Sequence, residues 1–464
     1  MTLKISRILH AGYVFECAGE LGNASDNSAG NSSGNTRIAF DPIFENPFSR
    51  NCHAFPAVRF DHEQIRRQSF DAVFISHFHD DHCSLESLDL LDRRTPIHIY
   101  CLFEELFAMV RELGFVNVHP LRIGLPVQVG AITVTPRAAL DAQVDSMFHV
   151  AAGGLNVLNV VDSWIDPEGL AELAGYAPWD MVLWPFQTMR EIEVLSPSRA
   201  APAPRELPAD WIEQLAVLNP RYVVPSSCQF LQEPWSWYNN AFFPIGYRQF
   251  GEQVEAALPG VQVLRLDPSR AVLLDGAGLR QDAPLDWVIP VGAQDVDYRY
   301  DPQAVPPATA DIARRFPALT PAQDQRVRDY CEAGLLAAYH DLELPDDSFF
   351  RKPRVWRLSV YDHTGAATVL HYGVEGDTIA RLPDHRGPVH WTTEVSGAKL
   401  YAALELGESL TSMYMRINDT VFDPETERDL QTADLVDDPL IRCLFDNAFG
   451  AYQAAQLRRL KGHT

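Results

Sequence analysis

Disulfide chemistry is what this sequence most plainly lacks. Seven cysteines are scattered through 464 residues. Their number is odd and no Cys-x-x-Cys pair occurs, which is the pattern of free thiols in a reducing compartment. No apolar run approaches the roughly 20 residues needed to cross a bilayer. The opening Met1-Thr2-Leu3-Lys4-Ile5-Ser6-Arg7 reaches charge too early for a secretory leader, so a cytoplasmic location is expected. Basic charge is also scarce: 38 Lys and Arg against 62 Asp and Glu give a formal charge of −24. Nucleic acids and anionic membranes need a basic face, and neither is expected as a partner. An anionic substrate would have to be met by metal ions or by particular arginines.

What is there is an ordinary globular composition, 46% hydrophobic and 22% charged, in a chain long enough for more than one domain. Short strand-like runs open it at Leu3–Leu9, Tyr13–Cys17 and Thr36–Phe40, with a Gly/Asn/Ser-rich hairpin tip over Ala18–Asn35. Further strands are predicted at Phe70–Ile75, Val127–Thr135, Met181–Pro185 and Tyr222–Pro225. A hairpin, Met147–Ala152 with Leu155–Val161, should turn at Gly153-Gly154. Helical spacing marks Leu85–Leu91, Leu102–Leu113, Trp211–Leu218 and Tyr247–Leu258, and Asp166-Pro167 should cap and open a helix to Ala174. Alternating strands and helices imply sheets covered by helices, an α/β class.

The stretch Asp282–Pro321 is rich in proline and poor in periodicity, so the chain divides into a catalytic domain, 1–304, and an α+β domain, 305–464. In the second, Pro321–Tyr339 reads as one long helix and Val355–Tyr361, Ala367–Tyr372 and Ser412–Ile417 as strands, with Lys399–Leu406 helical. It carries no clustered ligands or Gly-rich phosphate loop and is expected to act as a lid or a dimerisation module.

The chemistry concentrates in Ser76-His77-Phe78-His79-Asp80-Asp81-His82. Three imidazoles and a carboxylate lie within six residues, directly after an apolar strand. A strand that ends in a loop can aim such side chains at one place, His77 and His79 at one ion, Asp81 and His82 at another. His10 and Asp41, at the ends of two other strands, are candidates to hold those ligands from behind. Trp235-Ser236-Trp237-Tyr238 reads equally as pocket lining or as packing.

This HxHxDH run resembles the signature of the metallo-β-lactamase superfamily. Leu9-His10-Ala11-Gly12 and Ala39-Phe40-Asp41-Pro42 are similar to the opening of the branch that includes L-ascorbate-6-phosphate lactonase and N-acylphosphatidylethanolamine phospholipase D. The resemblance spans residues 1 to about 270 and implies a four-layer αββα sandwich with metal ions at the sheet edges. It also implies that Asp162, in Val160-Val161-Asp162-Ser163, bridges the ions, and that Asp81 and Asp162 are the catalytic carboxylates.

Two departures stand out. Where the family has a histidine before the bridging aspartate, this chain offers Asp141 and Asp145. Where it has a late histidine, this chain has Val223-Val224-Pro225-Ser226-Ser227-Cys228, with Cys228 read as a buried thiol or a ligand, and His149 as a packed side chain or a ligand. A carboxylate-rich set with fewer imidazoles favours iron, with zinc or manganese as alternatives. The late Val-Pro-Ser-Ser run is similar to the branch that includes CMP-N-acetylneuraminate hydroxylase, and Trp391–Ile417 to a sterol-carrier-protein-type appendage. The hydroxylase carries a Rieske domain. This chain has no Cys-x-His with Cys-x-x-His, so electrons would come from an external donor protein. Two activities on a small-molecule substrate follow: iron-dependent oxygenation, favoured, or metal-dependent hydrolysis of an ester, lactone or phosphodiester.

Overall fold

The structure is a computed structural model. It describes residues 1–18, 35–186, 190, 193–242, 244–346, 348–419, 430, 433–446 and 449–462, so the expected hairpin tip lies outside the described residues.

Two mixed sheets stack face to face. The first has eight strands in the order Gly278–Asp282, Ala271–Asp275, Leu3–Arg7, Tyr13–Ala18, Asn35–Phe40, Ala72–Ile75, Ile97–Ile99 and Val118–Pro120. The second has seven: Gln262–Val263, Tyr222–Ser226, Met181–Pro185, Leu155–Asn159, Ser146–Ala152, Ile132–Ala138 and Val127–Val129. Residue alternation along the strands sorts the core into layers. Ile38, Phe40, Ala72 and Phe74 face Ile132, Val134, Phe148, Val157 and Leu183 in a cluster between the sheets. Their chain neighbours Ala39, Val73 and Ile75, and Leu158, Val182 and Val223 of the second sheet, face outward. There they meet helix residues such as Leu85, Leu106, Val110, Trp211, Leu215 and Val254. Helix, sheet, sheet, helix: this is the αββα sandwich. Among the described residues no helix is long and apolar enough to cross a membrane, and all seven cysteines are free.

Several boundaries move from the sequence reading. Gly130, at φ +51, breaks the expected Val127–Thr135 strand into two short antiparallel ones. Leu3–Leu9 ends at Arg7, because the chain turns back at Leu9–Gly12. Gly153 and Gly154 make their turn at positive φ, and Asp166 caps its helix.

A third sheet orders Thr378–Arg381, Ala367–Glu375, Arg354–Tyr361, Trp391–Ser396 and Arg416–Ile417. It has its own core around Trp356, Tyr372, Trp391 and Leu400. The expected Pro321–Tyr339 helix is interrupted by a π-helical segment, Tyr330–Gly334, and of Ser412–Ile417 only Arg416–Ile417 is strand. The last helix, Ala451–Leu460, leaves this core and packs on the helices Leu85–Leu88 and Glu104–Glu112 of the first sheet.

One strand residue carries a pH-dependent load. His98 stacks between Phe74, at 5.0 Å, and His119, at 5.1 Å. Burial, with help from the charge of His119, pushes its pKa down to about 4. The unfolded chain therefore takes up this proton first, and stability falls as pH drops from about 6.5 to about 4. The full shift corresponds to roughly 3 kcal/mol. Because the ring is partly exposed, about 1–2 kcal/mol is expected. Denaturation midpoints at pH 7.5 and 5 should thus shift less in His98→Gln than in the parent, and identical shifts would refute the assignment.

Candidate metal centre

Most of the candidate residues sit at the carboxyl ends of strands, where an α/β sheet leaves a crevice, and Asp145 directly precedes the strand Ser146–Ala152. Ala72–Ile75 is buried throughout and delivers Ser76 and His77 at its end. Asn35–Phe40, hydrogen-bonded beside it, delivers Asp41. Asp41 is fully buried at φ +36. Its Oδ1 accepts from Ser76 N at 2.7 Å and its Oδ2 from Ser76 Oγ at 2.7 Å and from His82 Nδ1 at 3.0 Å. Ser76 Oγ, having donated its proton to Asp41, accepts from His77 Nδ1 at 2.9 Å. Both Nδ1 atoms are therefore donors, and both Nε2 atoms are turned to the site. A carboxylate holding an imidazole in this way is the usual outer support of a metal-bound histidine.

Two groups of ligand atoms result. The ligand atoms of His10, Asp81, His82 and Asp162 lie within 4.8 Å of one another, and so do those of His77, His79 and Asp145. Asp162 stands between the groups: Oδ2 is 2.9 Å from His82 Nε2, and Oδ1 is 3.9 Å from His77 Nε2. It is presented by a bend after Leu155–Asn159 in which Val161 takes φ +66, a strained setting for a β-branched residue. Asn159 Oδ1 accepts from Val161 N and steadies that bend.

The test of fit for a cation is what these atoms do without one. His77 Nε2, Asp145 Oδ1 and Asp162 Oδ1 are all buried and all lack a hydrogen-bond partner. Asp145 Oδ1 lies 3.6 Å from His77 Nε2. Buried polar atoms left unpaired are costly, and here three converge on one place. A divalent cation satisfies all three, so the residues fit.

The titration pattern carries the same message. Burial, then the charge of His82, holds His77 well below an ordinary histidine. Burial also disfavours charge on His82, but Asp162 and Asp81 outweigh it and raise its pKa. Burial acts upward on Asp162, yet His82 and His77 hold it down. Asp145 is pushed up to about 7, by burial first and then by Asp162.

Asp141 is not brought into either group. It is exposed, and it closes a turn by accepting from Gln143 N at 3.0 Å. His149 faces away: it bonds Asn156 and Arg137 and packs on Tyr176 and Trp179. Cys228 is buried and belongs to neither group. Trp235, Trp237 and Tyr238 pack around Tyr414, and the half-buried Trp235 with Ser236 and Trp237 also borders a surface pocket away from the two ligand groups.

His10, expected to support the ligands from behind, has its Nε2 3.1 Å from Asp81 Oδ2 and 3.2 Å from His82 Nε2, which brings it into the first group of candidate ligand atoms. The loop that aims it, at φ +52, depends on Gly12, where a Cβ would sit 2.8 Å from Asp41 O and 2.9 Å from Leu9 O. The Leu9–Gly12 turn was the signal available in the sequence.

No protein-family profile and no curated protein matches this chain by sequence. Solved structures do match, and metallo-β-lactamase-fold proteins are among them. Igni18, a metallo hydrolase from the archaeon Ignicoccus hospitalis KIN4/I, is 17% identical over 59% of this chain and 99% of its own, at a TM-score of 0.38. CmlA, a diiron β-hydroxylase from Streptomyces venezuelae, is 15% identical over 59% of this chain and 53% of its own, at 0.37. YhfI, a metallo-β-lactamase-fold protein from Bacillus subtilis, is 11% identical over 59% and 99%, at 0.35. Likenesses this distant decide nothing about chemistry. The side chains must.

Proposed function

We propose that this chain is a dinuclear metal-dependent enzyme that uses iron and dioxygen to oxidise a small molecule. The observation that carries the reading is the ligand character of the two groups. With Asp162 shared, each has two imidazoles and two carboxylates: His77, His79, Asp145 and Asp162 in one, His10, His82, Asp81 and Asp162 in the other. Zinc favours nitrogen and sulfur donors, whereas mixed imidazole and carboxylate sets suit iron or manganese. Asp145, standing where the resemblance calls for a histidine, shifts the balance in that direction.

Iron bound there would supply the activation of dioxygen. The balance is RH + O2 + 2 e− + 2 H+ → ROH + H2O, with both electrons from an external electron-transfer protein. The chain's own residues have separate tasks. Asp41 and Ser76 orient the imidazoles of His82 and His77. Asp162 links the two groups. The ring of His79 is exposed and marks the open side. Beside it Phe78 packs against Phe449 at 4.8 Å, and Phe449 against Phe103 at 4.2 Å. This apolar wall excludes water along one flank of the entrance and suits an apolar portion of the substrate.

Anaerobic reconstitution with ferrous salt tests the reading. The protein should take up two equivalents, one for each ligand group. On exposure to air it should consume oxygen and develop the absorption of ferric carboxylate species. A ferrous protein indifferent to oxygen, with the zinc or manganese form turning over aryl phosphodiesters or lactones, would replace oxygenation by hydrolysis.

A further inference from the structure

We infer that Gln453, on the last helix, is the positioning residue that holds both ends of the ligand loop and thereby sets its affinity for metal ions. The inference rests on the metal-binding reading above, but its geometry stands apart from it. The loop from Ser76 to Ser84 carries His77, His79, Asp81 and His82, and inside it His82 N and Cys83 N both donate to His79 O. Gln453 reaches this loop from a helix some 370 residues later. Its Nε2 donates to Phe78 O at 2.8 Å and to Cys83 O at 2.8 Å. Both amide hydrogens are thus spent on the loop. Phe78 lies between the first two histidines and Cys83 directly follows the third, so the two contacts bracket His79–His82.

The chemistry of the helix supports a task beyond packing. Buried positions of a helix against a core are normally apolar. Here the buried face presents Gln453, 2% exposed, and Gln456, fully buried, which lie on the same face at a spacing of three. Gln456 continues the same edge: its Oε1 accepts from Leu85 N at 2.7 Å and its Nε2 donates to Ser84 Oγ at 2.8 Å. Ser84 in turn caps Leu85–Leu88, accepting from Ser87 N. Amides paired to backbone groups fix a register that apolar contacts leave loose. Among uncharged side chains, glutamine offers two donors at this reach. Methionine fills the same space with none.

The full-length Gln453→Met variant tests this, with Leu457→Ala as the control. Leu457 is buried on the same helix and belongs to the core, so its truncation loosens packing without removing a bond to the loop. Ion affinity is read by competition with a chelator, and hydrogen exchange of the His82 and Cys83 amides is read in the metal-free protein. Gln453→Met should lose about 10–100-fold in affinity, the usual effect of removing an outer support of a metal site. Its loop amides should exchange faster, while Leu457→Ala lowers the melting temperature and leaves both readouts in place. Parental affinity and parental loop exchange in a folded Gln453→Met protein would overturn the inference. So would equal losses in Leu457→Ala, which would reduce Gln453 to ordinary packing. If the parent itself binds no ion, the proposed function falls, and loop exchange alone still decides for or against Gln453.

Discussion

Replacing Asp162 by alanine should reduce the metal content from two ions to one or none, with the affinity of whatever ion remains lowered at least about 100-fold. Among the described residues, Asp162 is the carboxylate placed between the two groups: one oxygen faces His82 and the other His77. Losing it also removes the largest charge that raises the His82 pKa. Stability should fall as well. Without an ion, His82 and His77 hold the Asp162 carboxylate down, and it pairs with the buried His82 at 2.9 Å. The metal-free variant should therefore melt below the metal-free parent, with the relief of Asp145 offsetting only part of the loss. The parent should gain thermal stability when iron or manganese is added, because an ion that binds only the folded state stabilises it. The variant should gain little. Elemental analysis and paired melts with and without chelator measure both effects. Undiminished metal content in Asp162→Ala would remove Asp162 from the site.

How much of this centre was readable in the sequence follows from how far apart its parts lie. His77, His79, Asp81 and His82 are neighbours in the chain, and the strand before them fixes which way they leave it. That part was legible. His10 was visible only as a histidine at a strand end, because its partners Asp81 and His82 lie on another strand's loop. It was paired with Asp41, whereas the structure gives Asp41 to Ser76 and His82 and places His10 beside Asp81. Asp141 and Asp145 could not be separated by composition. A turn decides between them: Asp141 caps it and Asp145, bonded through its N–H to Asp141 O, is carried inward. Gln453 was beyond any local reading, since its partners are two backbone carbonyls at the far end of the chain. The layered fold was clearer, because Ala72–Ile75 is a continuous apolar run, as a strand buried on both faces requires. Local interruptions were not: Gly130 splits a strand where the alternation shifts phase between Val129 and Ile132, and the π-helical Tyr330–Gly334 interrupts a helix.

Asp438→Ala should destabilise the third sheet by about 3–5 kcal/mol, the scale of leaving several buried donors unpaired with losses less than additive. Asp438 and Pro439 begin the helix Pro439–Phe445 as an aspartate cap with proline at the first position. The same carboxylate also ties that helix to the sheet. Oδ1 accepts from Leu440 N at 2.9 Å and Ile441 N at 3.1 Å, while Oδ2 accepts from Trp391 Nε1 at 2.7 Å and from Thr393 Oγ1. Thr393 Oγ1 itself accepts from Trp356 Nε1 at 2.8 Å, so two core tryptophans hang on one side chain. Asp438 is fully buried, so its donors lose their partner in a place shielded from bulk solvent. Each orphaned donor costs about 1–3 kcal/mol, with the losses less than additive. Asparagine should fall between, since it can still cap the helix through its carbonyl oxygen but presents a donor to Trp391 and Thr393. Unfolding followed by tryptophan fluorescence measures the loss, and a change below about 1 kcal/mol would show that the network does not carry this core. The outcome also bears on the metal centre, because the last helix is joined to this core while packing against the first. Above the temperature at which Asp438→Ala loses its third sheet, Gln453 should be less firmly held, and ion affinity should fall at a temperature where the parent still binds.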